Sequence, residues 1–189
     1  MADAFLLGVG EATVAATPAV AFAFLSDPRN AGEWFAGSGF AEAPTGSPRA
    51  GMSWRFERMR GTRGHVPVSM TVYEPPSRFI WETRLGVFST NNVWELRCEP
   101  ATVESDEADQ PAKPGTLITM TIRLRPRLFG WLGVVPALPL LRGQLPSRAQ
   151  RAAARAAEAV QAHAQSPARM RSQPPPRNPR RERGRGKRR

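Results

Sequence analysis

Residues 17–34 read TPAVAFAFLSDPRNAGEW, and the local chemistry of this stretch sets the architecture. Thr17 is a good helix N-cap and Pro18 suits the first helical position, so a helix starts sharply there. Val20, Phe22, Phe24 and Leu25 give that helix an apolar face to bury. It has to stop near Ser26 and Asp27, because Pro28 disfavours helical backbone in the residue before it. Asp27 can then cap a second short helix running towards Trp34. The chain makes a helix, a tight corner and a second helix.

On the N-terminal side, residues 4–16, AFLLGVGEATVAA, read as a first strand in which Val9, Glu11 and Thr13 alternate with Gly8, Gly10 and Ala12. On the C-terminal side, residues 36–51 are rich in Gly, Ala, Pro and Ser and read as a loop. From Met52 the apolar period becomes two. Met52, Trp54 and Phe56 share a face; Val66, Val68, Met70 and Val72 oppose Pro67, Ser69, Thr71 and Tyr73. Pro67, which has no N–H for a ladder, belongs at a strand start or an edge. Phe79, Trp81, Thr83 and Leu85 follow, then Asn92, Trp94 and Leu96. Residues 99–115 are acidic and broken by proline, which predicts a mobile hairpin loop. Ile118, Met120, Ile122 and Leu124 then share one face of a closing strand over 116–125.

The apolar residues 128–145 contain Pro136 and Pro139, which predict a break or kink. A cleaner helix is expected after Pro146, capped by Ser147 and ending near Ala164. Ala149, Ala152, Ala153, Ala156 and Val160 would form its inner face, and Arg148, Arg151 and Arg155 a basic stripe. Alanine at those inner positions means either that the helix packs very close to the sheet or that room remains beneath it.

The order of elements, with the pattern T-P-x(6)-L-S-D-P-x-N-x(3)-W at Thr17–Trp34, resembles the START-like helix-grip (SRPBCC) superfamily. That superfamily includes polyketide cyclases and dehydrases and lipid-transfer proteins. The resemblance covers about residues 4–162. It implies an α+β helix-grip fold: a curved antiparallel sheet wrapped around a long C-terminal helix, with two short helices after the first strand and a cavity between sheet and helix.

The chain of 189 residues is long enough for one domain, residues 1–165, with an appendage at 166–189. Its net charge of +11 is not spread over that domain. Residues 166–189 hold ten Arg or Lys against the single Glu182, a net of +9, so residues 1–165 carry only +2. The tail has no apolar face and reads as disordered. Arg180, Arg181, Arg183, Arg185, Lys187, Arg188 and Arg189 give it a density of charge that would attract nucleic acid or an anionic surface, with affinity falling as salt rises. Without aromatic residues it cannot stack on bases. Lys113 and Lys187 are the only lysines, an arginine bias that a GC-rich genome would also produce.

One cysteine, Cys98, excludes an intramolecular disulfide and a multi-cysteine zinc site. No apolar run reaches membrane-spanning length and the N-terminus lacks a secretory pattern, so a cytoplasmic protein is expected. No catalytic constellation is visible. His65 lies in a turn, His163 at a helix end, and neither is placed beside a nucleophile. The reading calls for no cofactor and no metal.

The candidate site is an apolar one. Trp54, Phe56, Met70, Trp81, Trp94, Ile118 and Met120 fall on strand faces, and Trp34 and Trp131 come from the helical segments. Aromatic and methionine side chains offer broad, adaptable contact to a lipid or polyketide-like ligand, although the same residues would also make a plain core. Asn92, Thr119 and Glu82 are the candidates for orienting polar contacts. Three functions follow: a carrier of a hydrophobic small molecule; an aromatase or cyclase, which needs titratable groups such as Glu82, Asn92 and His65 inside the pocket; or an adaptor tethered by its tail.

Overall fold

A computed structural model of the chain describes residues 5–35, 39–57, 64–85, 90–103, 113–126 and 130–166, with only the backbone course for 130–145. Its strands are β1 (Phe5–Val14), β2 (Phe40–Glu42), β3 (Ser53–Phe56), β4 (Val66–Glu74), β5 (Arg78–Leu85), β6 (Thr90–Val103) and β7 (Lys113–Pro126). Its helices are α1 (Pro18–Ser26), α2 (Ala31–Trp34) and α3 (Gly130–Gln165), with a 3-10 turn at Pro28–Asn30. The strands form one antiparallel sheet in the order β1-β7-β6-β5-β4-β3-β2, and α3 packs on its inner face over β1 and β7.

The corner after α1 is built from the residues that announce it. The Thr17 hydroxyl accepts the Val20 amide at 3.4 Å, and the Asp27 carboxylate accepts the Arg29 amide at 3.0 Å. Asn30 Nδ2 then donates 2.9 Å back to the Phe24 carbonyl, which satisfies a helix-end acceptor and holds the two helices together. Asp27 thus caps the 3-10 turn, and α2 follows it as a single further turn.

Paired residues in an antiparallel sheet share a face, so the register assigns the interior. Phe79, Trp81 and Thr83 face Leu96, Trp94 and Asn92, which in turn face Met120, Ile122 and Leu124. Gly10, Gly8 and Phe5 complete these rows on β1. Each large apolar side chain withdrawn from water here contributes about 1.5–3 kcal/mol.

Several expectations need correction. Residues 40–42, read as loop, form β2, because Phe40 stacks on Phe56 with ring centroids 5.2 Å apart and brings its backbone alongside β3. The alternation in β4 fails after Met70, where a bulge at Thr71 pairs Val72 with Ile80 and Tyr73 with Phe79. Tyr73 therefore turns inward against Phe22, 5.4 Å away, and Val72 turns outward. Pro67 is near the start of its strand, which is an interior one.

The acidic hairpin is also shorter than expected. Residues 99–103 and 113–115 are paired strand, and 104–112 lie outside the described residues. Ladder bonds need no apolar side chains. Pro100 is tolerated because Cys98 N–H, two residues earlier on the same side, already bonds the Ser77 carbonyl just before β5 begins.

The last helix is continuous. α3 begins at Gly130 and runs 36 residues through Pro136, Pro139 and Pro146 to Gln165. Each proline removes one backbone donor, while the bonds on either side continue the helix. Its second half lies directly on β1: Ala149, Ala153, Ala156 and Val160 are wholly buried, and Arg148, Arg151 and Arg155 are exposed. Close packing, not empty room, is what the alanines produce.

Candidate ligand-binding site

The inner face concentrates aromatic side chains at the β3–β6 end of the sheet. Trp81, paired with Trp94 on β6, is the hub. Trp34 lies 5.1 Å from it, Trp54 meets it edge-on at 5.1 Å, and Phe79 sits at 5.4 Å. Phe35 stands edge-on to both Trp81 and Trp94, at 5.7 Å and 4.9 Å. The helix corner delivers Trp34 and Phe35, because Asn30 ties the start of α2 to α1 and the Phe35 amide closes the single turn on the Ala31 carbonyl. Such edge-to-face pairs each add about 0.5–1.5 kcal/mol beyond burial.

The polar accounting of this cluster is unusual. The indole N–H groups of Trp34, Trp54, Trp81 and Trp94 are all shut off from water with no acceptor among the described residues, and the Thr83 hydroxyl is likewise unpaired among them. Trp34, Trp54 and Trp81 are at most 1 % exposed. A buried donor without a partner costs about 1–3 kcal/mol, so four in one cluster are a substantial unmet demand for acceptors. The inner-face strand positions hold no Asp, Glu, Lys, Arg or His among the described residues. The demand is therefore for neutral oxygen rather than for a specific ion pair.

The sequence-derived candidates fall as follows. Trp54, Phe56, Met70, Trp81, Ile118 and Met120 are buried on the inner face, with Trp34 above them; Asn92 and Trp94 share that face and are half-buried. Ile118 and Met120 lie at the β1–β7 side, where α3 covers the sheet. The side chain of Trp131 lies outside the described residues, as do the tail positions from Arg180 to Arg189. Phe35 and Phe40 were missed: they flank a Gly/Ala/Ser loop where no periodicity marks them. The adjacent aromatic pair Trp34–Phe35 was the available signal.

Two of the polar candidates point the other way. Thr119 pairs with Glu11 and Arg97 on the convex face. Glu82 is on that face too, where Arg125 Nη1 donates to it at 2.9 Å and Asn91 Nδ2 at 3.4 Å. His65 also lines the convex side. Of the three groups that a cyclase would need inside, only Asn92 faces inward. His163 lies against Phe24, 4.7 Å between ring centroids, and Cys98 is buried, its thiol pushed up to about 12 by desolvation. No group of three or more His, Cys, Asp or Glu able to hold a metal occurs among the described residues. No helix among them is long and apolar enough to cross a membrane.

The convex face has its own charge arrangement. Glu95, its side chain 4 % exposed, accepts a hydrogen bond from Arg97 Nε at 3.0 Å, lies 3.2 Å from Arg78 Nε and bonds Arg123. Burial alone would raise its carboxyl; hydrogen bonds from Arg123 and Arg97, with their charges, more than offset this and hold it below the ordinary value of 4.5.

Comparison with known proteins agrees with this architecture. Residues 9–165 match the family model described as polyketide cyclase / dehydrase and lipid transport. Among solved structures, norcoclaurine synthase from Thalictrum flavum, a point mutant in complex with a transition-state analogue, superposes with a TM-score of 0.54 at 12% identity. The match covers 87% of this chain and 98% of that one. A protein of unknown function from Staphylococcus aureus gives a TM-score of 0.54 at 13% identity, over 83% of this chain and 95% of that one. A Mesorhizobium loti protein gives 0.51 at 13% identity, over 80% and 94%. At these identities the likeness is one of fold. No curated protein matches the sequence.

Proposed function

The chain belongs to the polyketide cyclase/dehydrase and lipid-transport family, and from that premise we propose that it binds a neutral, hydrophobic, aromatic small molecule against the inner-face cluster of Trp34, Phe35, Trp54, Trp81 and Trp94. The observation that carries this reading is the set of four buried indole N–H groups that have no acceptor among the described residues. A pure core would more simply be built from phenylalanine and leucine, which leave no donor unpaired. A ligand with ring surface for the aromatic faces and carbonyl or ether oxygen for the donors would meet both features.

The second half of α3 is in contact with β1 and leaves no space there. The ligand therefore belongs towards the other end of the sheet, against the aromatic side chains of β3 to β6. We take residues 1–165 as the binding domain, and binding without covalent chemistry as the primary role. The outward placement of Glu82 and His65 favours it over cyclisation.

Native mass spectrometry of the freshly purified full chain, followed by denaturation and identification of released compounds, tests the proposal. A co-purifying aromatic or polyketone compound supports it. An apo mass, together with no change in tryptophan fluorescence on titration with anthraquinone or a solvatochromic dye, would sink it.

A further inference from the structure

The convex face carries a groove of about 410 Å3 over β3 to β6, within the range of small-molecule sites. Its shape follows from side-chain size. Ser53 on β3 pairs with Ser69 on β4, and Pro67 lies two residues before Ser69 on the same face, so β3 and β4 present short side chains as a floor. Arg55 and His65 rise on one side and Glu82 and Arg84 on the other.

The charges in this groove are not balanced. Glu82 is already engaged by Arg125 and Asn91. The Arg84 and His65 side chains have no hydrogen-bond or ion-pair partner among the described residues. Arg55 is only loosely paired, 3.6 Å from Glu42 with both side chains more than half exposed, an arrangement that contributes little. Two guanidinium groups therefore flank a floor bearing two free hydroxyls.

We propose that this groove is a second ligand site, separate from the aromatic face, which takes a small hydroxylated organic anion. The arginines recognise its carboxylate or phosphate, and Ser53 and Ser69 recognise its hydroxyl groups. Both anions offer a pair of oxygens spaced for two parallel N–H bonds from a guanidinium fork.

Residue-resolved amide NMR of the full chain, titrated separately with glycerol 3-phosphate, tartrate and glycerol, tests the proposal. The expected result is saturable shifts at Ser53, Ser69 and Arg84 with one or both anions and none with glycerol at the same concentration. A response to phosphate alone assigns a phosphate ester, and a response to tartrate alone assigns a hydroxycarboxylate. Arg84→Gln, an exposed change at the rim, should weaken binding about tenfold, and Ser69→Leu should abolish it by filling the floor. Shifts confined to residues 167–189, equal binding of glycerol, no response to any probe, or unchanged affinity in Arg84→Gln would each overturn the site.

Discussion

Gly10 on β1 lies in direct backbone contact range of Ala149 on α3: a Cβ built at Gly10 would overlap the Ala149 carbonyl and the Gln150 amide. Helix and strand approach this closely only because one residue has no side chain and the other has a methyl group. Gln150 reinforces the contact, accepting the Glu11 amide at 3.1 Å and donating to the Glu11 carbonyl at 2.7 Å. It thereby occupies part of the open edge of β1, which would otherwise offer unpaired backbone groups to another chain.

Substituting Gly10 should accordingly be costly. Gly10→Ala forces backbone atoms apart and is expected to destabilise by about 1–3 kcal/mol, read from urea unfolding midpoints at constant slope. Gly32→Ala is the matched control: nothing lies within 4 Å of a Cβ there, and helical alanine should stabilise by about 0.4–1 kcal/mol. Equal effects of the two would disprove the close approach.

Gln150→Ala removes both bonds to Glu11. The expected loss is about 0.5–1.5 kcal/mol, with faster hydrogen exchange at the Glu11 amide than in the parent. Unchanged exchange there would mean that the edge is not protected by this side chain.

Glu95→Gln weakens the contacts to Arg78, Arg97 and Arg123 and should cost about 1–3 kcal/mol at neutral pH. The sign of the pH dependence follows from a carboxyl held below 4.5 in the fold. Its contribution is complete above the unfolded value and is lost as pH falls through the folded one. The stability gap between parent and Glu95→Gln should therefore narrow below pH 4.5; a gap that widens on acidification would contradict the arrangement.

Cys98 should be inert in the native protein. With its thiol pushed up to about 12, almost no thiolate is present at pH 8, and burial blocks access. Ellman's reagent is expected to react orders of magnitude faster in 6 M urea than in buffer. Comparable rates would show that β6 around Cys98 opens readily.

Much of this fold is legible in local chemistry. Thr17, Pro18, Asp27 and Pro28 specify the helix corner because caps and proline act within a few residues, whereas the bond from Asn30 to the Phe24 carbonyl came with the fold. The period of two in Trp54–Phe56, Phe79–Thr83 and Ile118–Leu124 assigns the inner face because side chains alternate in any strand. The site was less legible. Trp34, Trp54 and Trp81 could be read inward from pattern alone, whereas Phe35 joins them only through the position of α2.

Sequence by itself determined the corner, the strand faces, the aromatic richness of the interior and the separation of charge between residues 1–165 and the tail, all of which are properties of neighbouring residues. Tertiary structure decided what depends on register and contact through space. The bulge at Thr71 turned Tyr73 inward, the fold brought Arg125 from β7 across β6 into an ion pair with Glu82 on the convex face, and Phe40 on Phe56 made a strand of a loop. Gly10, a weakness in a strand taken alone, became the place where the helix rests, because only the folded chain brings Ala149 to it.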